Sequence, residues 1–319
     1  MKKLLKDKNA IITLLIENAV SVILLFFVVF MIFTKRSFST WDNIVNIINE
    51  SSIYGIAACA MTIVIISGEF DLSASSVFGW STVLFVITIN NFGIVPAFLI
   101  TLTSGALLGA FNGFLVAKVK MPAFVVTLGT MIAIKGLAFV ATKAQPINTS
   151  NETLYAISKI SIAGISIIPM VYLVMLVLFI WFLKYTRFGR NIYATGGNYE
   201  VARLSGINVV FSKFIVFVIL GAAAALAGMM YGVRIKAGWA PYGQDLSLYC
   251  IAAAIIGGTS LLGGTGGVHK TIIGVLVLAI LFNALTLLGI SGSMQKFIRG
   301  LVLITVIMLD AIVAKRQTE

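Results

Sequence analysis

The chain has 319 residues, of which 60% are hydrophobic and 11% charged, and a formal net charge of +12. Soluble domains carry about 25% charged residues, so this composition, with a mean hydropathy of +1.06, excludes a water-soluble globule. The positive charge is scattered along polar stretches without interleaved aromatics, which points to membrane orientation and anionic lipid rather than to nucleic acid.

In chain order, about ten apolar segments are expected, roughly 17–34, 51–67, 72–90, 95–117, 122–141, 168–184, 214–234, 247–262, 271–289 and 297–314. A spanning helix needs about 20 apolar residues, and these runs lack the alternation of barrel strands. The expected fold is therefore all-α: a polytopic helical membrane protein over 1–319, a single transmembrane domain with no linker, and some short or broken helices. The opening MKKLLKDK and the apolar run after it have no small-residue cleavage site, so that run reads as a retained span. An even count puts both termini on one side. Placing them in the cytoplasm leaves most loop cations there, among them Lys2, Lys3, Lys118, Lys120, Arg187 and Arg190, against a smaller set that includes Lys35, Arg36 and Lys143.

Each half contains a break rich in small residues between apolar runs, Ser67–Ser76 in the first and Gly257–Gly267 in the second. Interrupted segments in corresponding places suggest a two-fold pseudo-repeat of the kind found in transporters. Gly105, Gly109 and Gly113, and the run Ala222–Gly228, suit close helix approach. Glu69 and Asp71 read as carboxylates at a helix start, where they would meet free N–H groups; a contact to substrate or a coupling ion is the alternative. Gly264–Thr271 resembles a phosphate-binding loop, but His269 stands where that loop needs glycine, and no strand precedes it. His269 is the only histidine, and Cys59 and Cys250 have no CxxC partner. Histidine-based triads, multi-histidine metal sites and a disulfide framework are thereby excluded. No catalytic residue, metal or cofactor is expected.

The stretch Tyr193–Asn208 is longer than a helix connection needs. Gly196, Gly197 and Asn198 suit a tight turn, and Tyr199 to Gly206 reads as a short helix stopped by glycine. It is either a solvated loop that sets topology or a docking helix for a partner.

Five motifs, in order, resolve this. They are Gly68–Ser76, Gly109–Val116 with Met121–Thr130, Gly196–Ile207, Ile256–Gly267, and Gln295–Leu301. Together they resemble the permease subunits of bacterial ATP-binding-cassette sugar importers, the ribose/xylose/autoinducer-2 permease family. The resemblance implies a monosaccharide or similar polyol as substrate, the bacterial inner membrane as location, and ATP hydrolysis in a separate subunit. It implies a second permease subunit, expected to make a homodimer, and a periplasmic or lipid-anchored sugar-binding protein. It also makes 185–213 a cytoplasmic coupling loop, with Gly196, Gly197, Asn198, Glu200, Ala202, Arg203, Ser205 and Gly206 contacting the ATPase. An ion-coupled carrier is the rival, weakened by the scarcity of mid-span carboxylates. Asp71, Ser73, Asn112, Thr127 and Thr130 are polar residues in or beside apolar spans; they either bond helix to helix or line the substrate path. Glu69 and Ser75 depart from the family's glycines in the first motif, and Gly266–Val268 and His269 from its more regular glycine pattern at the end of the fourth and just beyond.

Overall fold

The computed structural model describes residues 28–162 and 164–318, and is helical almost throughout. After a helical piece at 28–34 and a 3-10 turn (Arg36–Ser39) come α1 (Trp41–Ile66), α2 (Ala74–Phe92) and α3 (Ile94–Gly113). A π-turn, Phe114–Lys118, continues α3, and α4 (Ala123–Thr142) follows. Next are strand β1 (Ile147–Asn148), α5 (Glu152–Lys159), the β2–β3 hairpin (Ser161–Ile162, Ile165–Ser166) and α6 (Ile167–Tyr185). Helices α7 (Arg187–Gly197), α8 (Tyr199–Leu204) and α9 (Val209–Ile235) lead to β4 (Ala237–Gly238), α10 (Leu246–Ile256), α11 (Val268–Leu287) and α12 (Gly292–Thr318).

Among the described residues, seven helices are long and apolar enough to cross a membrane: α1, α2, α3 with its π-turn, α4, α6, α9 and α11. The expected span 17–34 lies mostly outside the described residues. The one expected at 247–262 is the 11-residue α10, too short to cross alone. The last falls within α12 and is not one of the seven. Helix α1 begins at Trp41, not near residue 51, because its polar first turns find partners. Asn43 and Asn283 exchange side-chain hydrogen bonds at 3.1 and 2.8 Å, and Arg234 reaches both Asn46 and Glu50. Glu50 thus lies inside a helix rather than at its edge.

Helix α1 is the spine of the core, with Ile53, Ile56, Met61, Ile63 and Ile66 fully buried. Helices α3 and α9 run antiparallel in direct backbone contact. A Cβ on Gly109 would sit 2.2 Å from the Phe217 carbonyl oxygen, and one on Gly221 2.2 Å from that of Gly105, which is the close approach small residues permit. The opposite face of α3 exposes Leu99, Leu107 and Phe111, apolar surface that suits lipid. β1 pairs antiparallel with β4, Ile147 opposite Gly238. It closes the end where α2 and α9 finish, the far end. The near end holds Ile66, Lys118, α7, α8 and the α10–α11 loop.

The two breaks are built alike. After α1, the Gly68 N–H donates to Ile65 O at 2.9 Å and the Glu69 N–H to Val64 O at 3.2 Å, with Gly68 at φ +83°. After α10, the Gly258 N–H donates to Ile255 O at 2.7 Å and the Thr259 N–H to Ala254 O at 3.0 Å, with Gly258 at φ +82°. Both are glycine-terminated Schellman ends, realised at corresponding places in the two halves.

Candidate functional site

The long polar insert folds as two helices. Thr186 caps α7, accepting from the Gly189 N–H at 3.1 Å. Gly196 and Gly197 are the last residues of α7, so the expected tight turn at these glycines is not formed. The chain redirects at Asn198 alone, extended at φ −158°, whose side chain accepts from the Val201 N–H at 3.0 Å and caps α8. The short helix and its glycine stop are present as read: Gly206 lies at φ +81°, and its N–H donates to Arg203 O at 3.1 Å. No atom lies within 4 Å of where its Cβ would be, so Gly206 is required for its backbone conformation and not for close approach.

Ala202 faces inward at 3% exposure. Glu200 and Arg203 pair at 3.2 Å with side chains about 60% exposed; Ser205 is exposed beside them. Val201 and Leu204 are 59% and 81% exposed. This apolar pair stands between charged neighbours on a helix that is not one of the candidate spans.

The C-terminus of α7 lies between the two breaks. A Cβ on Gly196 would be 1.8 Å from Ile66 O and 2.7 Å from the Gly264 nitrogen, and the Gly264 N–H donates to Ile66 O at 2.9 Å. Only glycine fits there, because any side chain would overlap backbone that cannot yield. The Tyr193 hydroxyl donates to Gly266 O at 2.9 Å; burial pushes its phenol above the ordinary value, so it keeps the proton it donates. Glu69 follows the α1 terminus rather than starting a helix. It forms an ion pair with Lys213, whose ammonium also lies 5.5 Å from the Tyr199 ring centroid. Sequence reading missed the Lys213 and Tyr193 contacts, since nothing in the spacing joins residue 69 to 213 or 193 to 266.

Four of the five candidate path residues meet in one buried cluster. Asp71 accepts from the Ser73 N–H at 2.6 Å, which places it at the start of α2. The Asn112 amide donates to Ser73 Oγ at 2.8 Å and to Asp71 Oδ2 at 3.4 Å, and its carbonyl accepts from the Thr130 hydroxyl at 2.7 Å. Asn112 has no exposed surface. Thr127 donates to Ala123 O of its own helix at 2.7 Å, outside the cluster. The cluster ties the first break to α3 and α4. The phosphate-loop lookalike, Gly264–Thr271, runs from the α10–α11 loop into α11, with no strand before it.

Residues 43–307 match the family model described as branched-chain amino acid transport system / permease component. The ribose import permease protein RbsC of Haemophilus influenzae is 37% identical over 279 residues, covering 85% of each chain. RbsC of Escherichia coli K12 is 34% identical over 279 residues, 85% of this chain and 86% of its own. The L-arabinose transport system permease protein AraH of the same strain is 34% identical over 253 residues, 78% of this chain and 76% of its own. No solved structure matches the chain.

Proposed function

Because the chain belongs to the family of transport-system permease components matched over residues 43–307, we propose that it is the membrane permease subunit of an ATP-driven importer for a monosaccharide such as ribose. The substrate class rests on the ribose and arabinose permeases it resembles over most of its length. The reading places it as a multi-pass protein of the bacterial cytoplasmic membrane with both termini inside, built around a single permease domain. A second permease subunit, expected to be a copy of this one, two ATP-hydrolysing subunits and a periplasmic or lipid-anchored sugar-binding protein complete the importer, with membrane lipid around it. ATP hydrolysis belongs to the partner, and this chain supplies no chemistry.

The observation that carries this reading is the seat of α7 between the two breaks, with Gly196 against Ile66 and Gly264. In the proposed mechanism, the ATPase grips α8 through Val201, Leu204 and the Glu200–Arg203 pair. Closure of the ATPase pair displaces α8 and, through Asn198, α7. Since α7 touches the end of α1 and the α10–α11 loop at backbone distance, the displacement passes to both halves without slack. The Asp71–Ser73–Asn112–Thr130 cluster, with Thr127 alongside, is the closed gate of the sugar path. Its polar groups satisfy one another when shut and turn to the sugar when the breaks part.

The test is uptake of labelled ribose and arabinose by proteoliposomes carrying the full complex, and separately by the lone chain under proton or sodium gradients. ATP-dependent uptake by the complex and none by the lone chain are expected. Gradient-driven accumulation by the lone chain would overturn the ATP-driven reading in favour of an ion-coupled carrier, and failure of the complex to move any sugar would remove the substrate class.

A further inference from the structure

The far-end half of the molecule holds a cavity of about 560 Å³ between α1, α9, α10, α11 and α12, within the ~300–1,000 Å³ typical of small-molecule sites. Its wall is strongly aromatic. Tyr54, Tyr231, Trp239, Tyr242, Tyr249 and Phe282 line it. These rings brace one another: Tyr54 and Tyr249 lie 4.9 Å apart between centroids, Tyr231 and Tyr242 5.1 Å, and Trp239 stands edge-on to Tyr242 at 5.6 Å. The Tyr249 hydroxyl is tied to Val275 O at 2.8 Å. Mutual packing and that bond hold the faces in fixed orientation.

The polar groups are as specific. Asp245 precedes α10 in the N-cap position, yet its side chain makes no cap bond. Its carboxylate instead meets the Arg299 guanidinium at 3.4 Å, and that guanidinium lies 4.5 Å from the Phe282 ring centroid. Two contacts therefore aim Arg299 while leaving its Nε–H unspent. The Arg299 Nε and the Trp239 Nε1 are both buried with no hydrogen-bond partner in the protein. Buried unpaired donors are uncommon and costly, and these two belong to residues that line the same cavity.

A sugar presents two chemistries at once: C–H faces that settle on aromatic rings, and hydroxyls that both accept and donate. The cavity offers rings for the first. For the second it offers the two free donors, the Asp245 carboxylate and the Gln244 amide. We propose that this cavity is a sugar-holding site contained within one permease subunit, with Trp239 Nε1–H and Arg299 Nε–H donating to hydroxyls and Asp245 accepting from one. The inference rests on the importer reading and deepens it: sugar pauses inside the permease between release from the binding protein and passage through the gate.

The test uses the lone chain in lipid nanodiscs, titrated with D-ribose, L-arabinose and L-leucine, alongside uptake by the full complex. Saturable ribose or arabinose binding is expected, weakened about tenfold by Trp239→Phe, which keeps an aromatic face and removes the donor, and by Asp245→Asn, consistent with loss of one hydrogen bond to a polar group. In the complex, both variants should raise the KM for sugar uptake. No sugar binding by the lone chain, or variants that bind as wild type, would overturn the site while ATP-dependent uptake kept the importer reading intact. Preferential binding of leucine would overturn the sugar assignment of the cavity. Sugar binding that survives while the wild-type complex shows no ATP-dependent uptake would strike the importer reading alone.

Discussion

The near and far ends of this molecule solve opposite problems with opposite materials. At the near end, α7 meets both breaks through glycines, and backbone touches backbone: the Gly264 N–H reaches Ile66 O at 2.9 Å. At the far end, large rings and charged groups from five helices stand around an open volume of about 560 Å³. A joint that transmits force must have no slack, and removing side chains leaves only stiff backbone. A site that must hold and then release a small polar molecule needs side chains with faces and donors. On the proposed reading, the near end transmits force and the far end holds substrate.

Substitutions should therefore behave differently at the two ends, and the largest effect is expected at Gly196. Gly196→Ala forces a Cβ to within 1.8 Å of the Ile66 oxygen, and overpacking of this kind costs about 1–3 kcal/mol or more. We expect ATP-dependent uptake to be abolished and the thermal midpoint to fall by roughly 2–4 °C per kcal/mol lost. Near-normal uptake would show that the joint has slack. Gly206→Val comes next. The strain of about 1–2 kcal/mol lies in the backbone at positive φ, with no neighbour to clash. The variant should insert normally yet fail to co-purify with the ATPase, and Gly206→Asn should restore much of the loss because Asn tolerates that conformation. Equal loss in both variants would mean that the site needs space after all.

Asn112→Ala removes three hydrogen bonds from the buried cluster, leaving Thr130 only its bond to Val126 O and Ser73 Oγ without the amide, at a cost of about 1–3 kcal/mol. A lower midpoint together with a changed ribose-to-arabinose uptake ratio is expected if the cluster is the gate. An unchanged ratio would confine it to holding helices together. The smallest effect on stability belongs to Glu200→Lys. Its pair with Arg203 is largely exposed, and exposed pairs contribute about 0–1 kcal/mol. Thermal stability should stay put while affinity for the ATPase drops, measured by co-purification at low and high salt.

How much of this was legible in the sequence divides along the same line. The near end is written in contiguous runs: Ile256–Gly267, Gly68–Ser76 and Tyr199–Gly206 each carry their own breaks, caps and stops. What failed there was local. Gly196 and Gly197 looked like a turn because glycine is poor in helices, but contact with Ile66 and Gly264 outweighs that preference. Glu69 looked like a helix cap, and its partner Lys213 lies on a helix with no sequence tie to it. At the far end, the cavity draws on residues from Glu50 to Leu303; Lys296, Arg299 and Gly300 fall in the Gln295–Leu301 motif, but nothing in that motif points to Tyr54, Trp239 or Asp245. Even the start of α1 was hidden, since Asn43, Asn46 and Glu50 depress hydropathy until Asn283 and Arg234 are seen to satisfy them.

The claim that binds the two ends together is that force entering at α8 changes access to the far cavity. Gln244 lines that cavity and is exposed, while Cys59 and Cys250 are fully buried. The direct measurement is the labelling rate of Gln244→Cys, in a background with Cys59 and Cys250 replaced by Ala, by an impermeant thiol reagent. It is taken on the active complex with and without trapped nucleotide on the ATPase, and repeated in membranes that hold Gly206→Val together with the ATPase. The account predicts a nucleotide-dependent change in rate that Gly206→Val abolishes. An active complex whose labelling rate ignores nucleotide, or responds equally with Gly206→Val in place, would contradict it.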